Sequence, residues 1–401
     1  MKGFSRLALV GSLLAVGSAA GALSKWILVW LSDLFGGPSA VGAYSLLLAV
    51  GTPLFVASQL GLRTILLTSQ TAWPWRTYLT LRLFGTLAAV ICLCLFVLVV
   101  PAIPLSLGLA VVALKLFDSI ADLDFARLQY HNHLATLGIL GVAGALVSIV
   151  GSISAAALFQ SVLAAVVAAA LASAAVAVVA TARARHLPYS ASAPGGYRAI
   201  LGASIPVTSA QLLASLLTYL PVLFLSMWGD LATVGIYAGV AYVLTAADLM
   251  GSTLAKLMIS PLMEVAKNCG RAAVASTSRR LTLRIMIVGL GICAALMQWG
   301  SGFFSWVYGP EFALPWYSLA LFALAAIFIV MSYTLSVSLN VLNAYLSVTV
   351  SFAAACIVAV VVGSILHSFG VQGLIVGPMM AASGAATRAL LMLWRVTKAS
   401  R

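Results

Sequence analysis

Five ionisable side chains within long apolar stretches could carry chemistry: Lys25, Arg82, Lys115, Asp248 and Arg284. A charge placed in hydrocarbon costs about 2.5–3.5 kcal/mol on insertion scales, so such a residue faces a cavity or a partner. The chemistry open to this set is ion handling and phosphate binding, not bond breaking. Asp248 is about thirteen residues from the outer end of its apolar run, roughly 20 Å deep at 1.5 Å per residue. There it either carries a coupling ion or balances a neighbouring cation. Lys115 follows Pro104 by eleven residues and is also deep. Asp118, Ser119 and Asp122 share its helical face at i+3, i+4 and i+7, which favours a structural Lys–Asp pair over a cavity-facing ammonium. Lys25 stands beside Trp26 and Trp30. It either snorkels within an aromatic belt or reaches an anionic headgroup from a cavity. Arg82 and Arg284 each lie one turn into an apolar run. They anchor helix ends on the basic side, or offer two guanidiniums whose bidentate geometry suits a pyrophosphate.

The elements that must position these residues are transmembrane helices. Of 401 residues, 63% are hydrophobic and 7% charged, and mean hydropathy is +1.14. Soluble chains carry charge at about a quarter of their positions, so lipid must cover most of this one. At about 20 apolar residues per crossing, the expectation is an all-α polytopic membrane protein of about twelve helices. They fall over 7–31, 39–60, 79–100, 104–123, 136–156, 159–180, 199–224, 233–257, 281–304, 314–338, 345–366 and 371–394. The stretch 136–180 is nearly unbroken and divides into two helices only through a very short turn. The apolar run that reaches Leu31 is too long for a secretory signal and reads as the first span.

The breaks between runs alternate in charge. One set carries Lys2 and Arg6, Arg63, Arg76 and Arg82, Arg127, Arg183, Arg185 and Arg198, then Lys267, Arg271, Arg279, Arg280 and Arg284, and finally Arg395, Lys398 and Arg401. The other carries Asp33, Asp230 and Glu311 and no Lys or Arg. The positive-inside rule therefore places both termini in the cytoplasm, with the uncharged turn around Asn340 and Asn343 voting neither way. A net charge of +13 distributed in this manner describes topology, not a nucleic-acid face. Loops on the opposite side are too short to fold as a catalytic domain.

Other candidates are bland. Cys92, Cys94, Cys269, Cys293 and Cys356 form no CxxC and read as apolar packing. His131 and His133 lack metal-ligand company. Gly138, Gly141 and Gly144 lie in an apolar span, where small residues permit close helix packing. Neither a catalytic site, a metal, a cofactor nor a nucleotide motif is expected, so a gradient or an exchange would drive any transport.

The halves repeat each other after a loop over 188–196. Arg6-Leu-Ala-Leu-Val-Gly-Ser12 resembles Arg198-Ala-Ile-Leu-Gly-Ala-Ser204, Val41-Gly-Ala-Tyr44 resembles Val234-Gly-Ile-Tyr237, and Thr80-Leu-Arg-Leu83 resembles Thr282-Leu-Arg-Ile285. The order is kept, giving two six-helix lobes over 1–190 and 191–401. Six being even, the lobes run in the same sense, as in transporters whose repeats are related by an axis along the membrane normal.

Gln59-Leu-Gly-Leu-Arg63, Tyr78-Leu-Thr-Leu-Arg82, Lys115-Leu-Phe-Asp-Ser-Ile-Ala-Asp122 with Gln129, Gly235-Ile-Tyr237 and Trp306-Val-Tyr-Gly-Pro-Glu-Phe312 follow one another along the chain. In these stretches the sequence resembles the polysaccharide transporters, the Wzx-type O-antigen flippases of the MOP exporter superfamily. The resemblance implies two lobes that open alternately to each side of the cytoplasmic (inner) membrane. It implies a polyprenyl-diphosphate-linked oligosaccharide as cargo for surface polysaccharide synthesis, with membrane lipid around it. Cavity cations would hold the diphosphate, and Lys25, Lys115, Arg82 and Arg284 fit that role. Asp248 would couple transport to protons or sodium, and the polysaccharide polymerase machinery is an expected partner. Two rival readings stand beside it: a MATE-type multidrug exporter, which should prefer acidic cavity residues, and a membrane-embedded transferase. The latter would need a cluster such as Asp118, Asp122 and Asp124, which instead reads as a salt-bridged helix end near Arg127.

Overall fold

The computed structural model describes residues 2–68, 73–189, 196–342 and 344–399, and the side chains of all of these except 2–10, 260 and 399. The side chains of Lys2 and Arg6, loop residues 190–195, Asn343 and Arg401 thus lie outside the described residues. The described chain is helical throughout, apart from turns and short connections. It divides into two compact units, Met1–Ser215 and Leu216–Arg401.

Unit 1 holds α1 (Lys2–Ser58), α2 (Leu62–Thr68), α3 (Trp75–Val99), α4 (Leu105–Tyr130), α5 (Leu134–Phe159), α6 (Val162–Ala184) and the first part of α7 (Tyr197–Trp228). Unit 2 holds the rest of α7, then α8 (Leu231–Val240), α9 (Tyr242–Tyr308), a 3-10 turn at Pro310–Phe312, α10 (Trp316–Val341), α11 (Tyr345–Ser368) and α12 (Gly373–Ala399).

Two of these helices contain more than one expected span. The run 7–31 and all but the last two residues of 39–60 fall in the 57 residues of α1, broken only at Gly37 with φ 66° and ψ −172°. That backbone conformation is one glycine reaches at no steric cost, and Pro38 then re-enters helix with its φ already set. In the 67 residues of α9 the break is Gly270, at φ 81°. Among the described residues ten helical stretches are long and apolar enough to cross a bilayer. The difference from twelve has a simple cause. Gly11–Ser58 counts once although Gly37 divides it, and α4 is too charged to count, carrying Lys115, Asp118, Asp122, Asp124 and Arg127.

The very short turn expected within 136–180 is present as Gln160-Ser161, with Gln160 left-handed at φ 47°. The glycines of α5 pack closely as expected. A Cβ on Gly17 of α1 would stand 3.3 Å from the Gly138 carbonyl oxygen, and one on Gly138 would meet Leu13 at 2.7 Å.

The same neighbours recur six helices apart. In unit 1, α4 packs on α6 and α5 on α6; in unit 2, α10 packs on α12 and α11 on α12. Each unit turns a wide apolar surface outward, Val150 and Leu158 in one and Ile287 and Trp306 in the other. Water would penalise those surfaces and lipid does not.

Candidate functional site

In unit 1 the charged side chains of the interior converge on α4. Near its middle, Lys115 Nζ donates to Thr52 Oγ1 of α1 at 3.0 Å. The charge of Lys25, also on α1, is close enough to act on Lys115, and Lys25 itself is exposed. One turn on, Asp118 accepts from Ser173 of α6 at 2.5 Å, while Ser119 shares a hydrogen bond with Thr86 of α3 at 2.9 Å. The expected Lys115–Asp118 ion pair is not formed. Side chains from α1 and α6 supply better-placed partners than the shared helical face does.

Asp122 is the point where charges meet. Arg63 of α2 approaches one carboxylate oxygen at 3.0 Å and Arg82 of α3 the other at 2.5 Å. Arg63 also donates to Gln129 at 2.9 Å. Arg82 has a side chain only 4% exposed, and its Nε and Nη1 have no hydrogen-bond partner among the described residues. A buried guanidinium so held is a structural cation first, because breaking such a pair leaves an uncompensated charge. Of the three acids read as a salt-bridged helix end, only Asp122 is ion-paired. Asp124 accepts from Thr181 at 2.5 Å. Arg127 donates to the Leu187 carbonyl oxygen and lies over the Trp75 ring, 4.7 Å from its centroid. Tyr189 then packs on Trp75 and Tyr130, with ring centroids 5.7 and 5.9 Å away.

Unit 2 buries its charges differently. The Tyr333 hydroxyl of α10 donates to Asp248 Oδ1 on α9 at 2.9 Å. Arg388 of α12 is buried, and its guanidinium carbon lies 4.4 Å from the Phe352 ring centroid and 5.2 Å from that of Tyr333. Gly251, one turn beyond Asp248, makes room for this ring: a Cβ there would sit 2.5 Å from Tyr333 Cδ2. Asp248, Tyr333 and Arg388 thus form one cluster from three helices, in which rings and a hydroxyl replace direct ion pairs. The sequence reading missed Arg388. Its signal was available, since it is an arginine within the expected span 371–394, fifteen residues past the Gly373 start of α12.

Arg284, matched to Arg82 in the repeat, is exposed. The reason is a shift of phase. Tyr78, Arg82 and Thr86 are buried on α3, whereas Val274, Ser278 and Thr282 are buried on α9. The sequence match sets Arg82 against Arg284, but the packed faces set it against Thr282. Two residues turn a helix by about 200°, which carries Arg284 to the outside. Asp230, in the connection before α8, caps that helix by accepting from the Thr233 N–H at 2.8 Å. Hydrogen bonds from the Thr233 side chain and backbone hold its carboxyl below the ordinary carboxylate range. Among the described residues no group of three or more His, Cys, Asp or Glu is placed to hold a metal.

No protein-family model matches the chain. It is similar to the capsular polysaccharide biosynthesis protein CapF of Staphylococcus aureus, at 22% identity over 304 residues that cover 73% of this chain and 74% of the relative. Among solved structures, the lipid II flippase MurJ in an inward closed conformation superposes with a TM-score of 0.73 at 12% identity, covering 96% of this chain and 87% of that one. An inward-facing multidrug resistance MATE transporter of the MOP superfamily gives 0.66 at 12% identity, over 98% of both chains. With helix neighbours that recur in its two compact units, the chain is a multi-pass membrane protein that has the fold of the MOP exporter superfamily.

Proposed function

We propose that this protein is a flippase that moves a polyprenyl-diphosphate-linked oligosaccharide outward across the cytoplasmic membrane, for surface polysaccharide synthesis. Both termini lie in the cytoplasm, on the side where the basic breaks gather. The observation that carries the reading is the pairing of Lys25 and Lys115 on neighbouring helices of unit 1. Among the described residues the two ion pairs both belong to Asp122, and Lys115 holds only a hydroxyl, that of Thr52. Among the described residues its ammonium makes no ion pair, and two lysines on neighbouring helices suit a group with more than one negative charge. A diphosphate is such a group. The similarity to a capsular polysaccharide protein and to a lipid II flippase supports the same cargo class.

The work required is to shelter a diphosphate and sugar hydroxyls from hydrocarbon while the prenyl tail stays in lipid. Alternation between two access states needs differential affinity of substrate or ion for each state. Asp248, held by Tyr333 beside Arg388, is the residue we assign to the coupling ion, a proton or sodium. Arg82 is occupied by Asp122 and Arg284 is exposed on a face that packs on no neighbouring helix, so within the diphosphate site the weight falls on the two lysines. The polymerase machinery that consumes the flipped product is the natural partner.

The test is complementation of a flippase-null strain with surface polysaccharide as readout. Lys25→Ala and Lys115→Ala should each reduce polymer roughly tenfold or more, the loss of one charge-assisted contact of about 1.5–3 kcal/mol. Asp248→Asn should stop transport without abolishing lipid-linked substrate binding. Normal polymer from all three variants sinks the assignment. The fold is shared with MATE exporters, and that second reading makes its own forecast: drug resistance lost in Asp248→Asn and untouched in both lysine variants.

A further inference from the structure

We propose that the exposed face at the basic end of α9 is a docking site for an anionic phospholipid. This inference is independent of the cargo assigned above. Arg280, Leu283, Arg284 and Ile287 follow the i, i+3, i+4, i+7 spacing of one helical face. Val274, Ser278 and Thr282 are buried on the other side of the helix. Arg280 and Arg284 are exposed, and Leu283 and Ile287 are 51% and 61% exposed.

The two arginines stand one turn apart as like charges, an arrangement that destabilises a helix unless an anion lies between them. Arg279 adds a third exposed cation beside them. Among the described residues none of the three makes an ion pair. The nearest acid along the helix, Glu264, lies before the Gly270 break and is itself followed by Lys267 and Arg271. Exposed apolar side chains continue from the arginines toward the membrane interior, through Ile287 to Leu290 at 54%.

Cations above a strip of exposed aliphatic side chains match a lipid in both its parts. The headgroup phosphate meets the guanidiniums, where arginine offers paired donors, and an acyl chain lies along Leu283 and Ile287. The related position in unit 1 has no such face, because Arg82 is turned inward onto Asp122. An anionic headgroup gains over a zwitterionic one through its net charge.

Native mass spectrometry and lipid titration of the purified full chain in detergent test this. Phosphatidylglycerol should bind the wild type more tightly than phosphatidylcholine. The double variant Arg280→Gln/Arg284→Gln should weaken phosphatidylglycerol roughly 20-fold, and Arg280→Lys/Arg284→Lys should restore part of it. Circular dichroism confirms that the variants remain folded. Equal binding of both lipids by the wild type, or unchanged phosphatidylglycerol binding by the glutamine variant, overturns the proposal. So does full competition by millimolar inorganic phosphate, which would make the site a plain anion site. A polyprenyl diphosphate that displaces phosphatidylglycerol at far lower concentration would assign the face to the cargo instead and would equally overturn it.

Discussion

Units 1 and 2 share an architecture and bury charge by opposite means. Unit 1 gathers five ionisable residues on α4 and satisfies them with side chains from α1, α2, α3 and α6, plus a carbonyl just beyond α6. In unit 2 the equivalent α10 carries no charge at all. Its interior acid accepts from a tyrosine, and its interior arginine lies against two rings. A repeat therefore preserves helix neighbours more faithfully than it preserves the chemistry between them. The Arg82–Arg284 match shows the mechanism at single-residue scale. A two-residue phase shift on α9 puts a guanidinium on the outer face where its counterpart is buried. With no acid on α10 to receive it, that is the less costly place.

Four substitutions would break or sharpen the contrast. The largest effect is expected at Asp122, since Asp122→Asn leaves Arg82 buried without its counter-charge and should cost about 3–5 kcal/mol. Thermal unfolding in detergent reads it, and adding Arg82→Met should recover much of the loss. If the double variant were no better than the single one, the ion-pair account of unit 1 would be wrong. In unit 2, Arg388→Met should cost less, about 2 kcal/mol, because a desolvated cation–π contact is lost while an apolar chain fills the space. A penalty larger than that of Asp122→Asn would erase the distinction between the units. Smaller again is Tyr333→Phe, at about 1 kcal/mol for one hydrogen bond, with the ring stack on Arg388 retained. The least is Asp230→Ala, about 0.5–1 kcal/mol for a lost N-cap. Because the Asp230 carboxyl is held below its ordinary range, its contribution is present above the usual carboxylate pKa. It fades as pH falls through the lower folded value. The Asp230→Ala variant should converge on the wild type in acid, and an equal gap at every pH would rule out the capping charge.

Much of the fold was legible because each span is a long apolar run that needs no partner to be recognised. Even the division of 136–180 into two helices followed from length alone, although the turn falls at Gln160-Ser161, about three residues later than expected. Junctions were harder. Gly37 and Gly270 set helix breaks through backbone angle, which composition does not report, so the separate spans expected there meet at a kink with no loop between them. The polar interior was half legible. That Lys115, Asp122 and Asp248 must have partners follows from their depth in hydrocarbon. Which partners they take depends on helices far away in sequence, and so the local Lys115–Asp118 pairing lost to Thr52 and Ser173. Arg388 escaped notice for the reverse reason: no matching residue in the other repeat drew attention to it, and its companions are rings.

The seventh helix has a practical meaning for anyone who would dissect this chain. Ile200 is fully buried in a cluster with Leu62, Tyr78 and Leu123, and Val207 packs against the same group. A fragment cut at the loop near residue 190 would therefore expose a greasy wound on its own first half. One carried through to residue 215 would leave with its cover in place. The boundary between the halves that match in sequence and the boundary between the two compact units are different places.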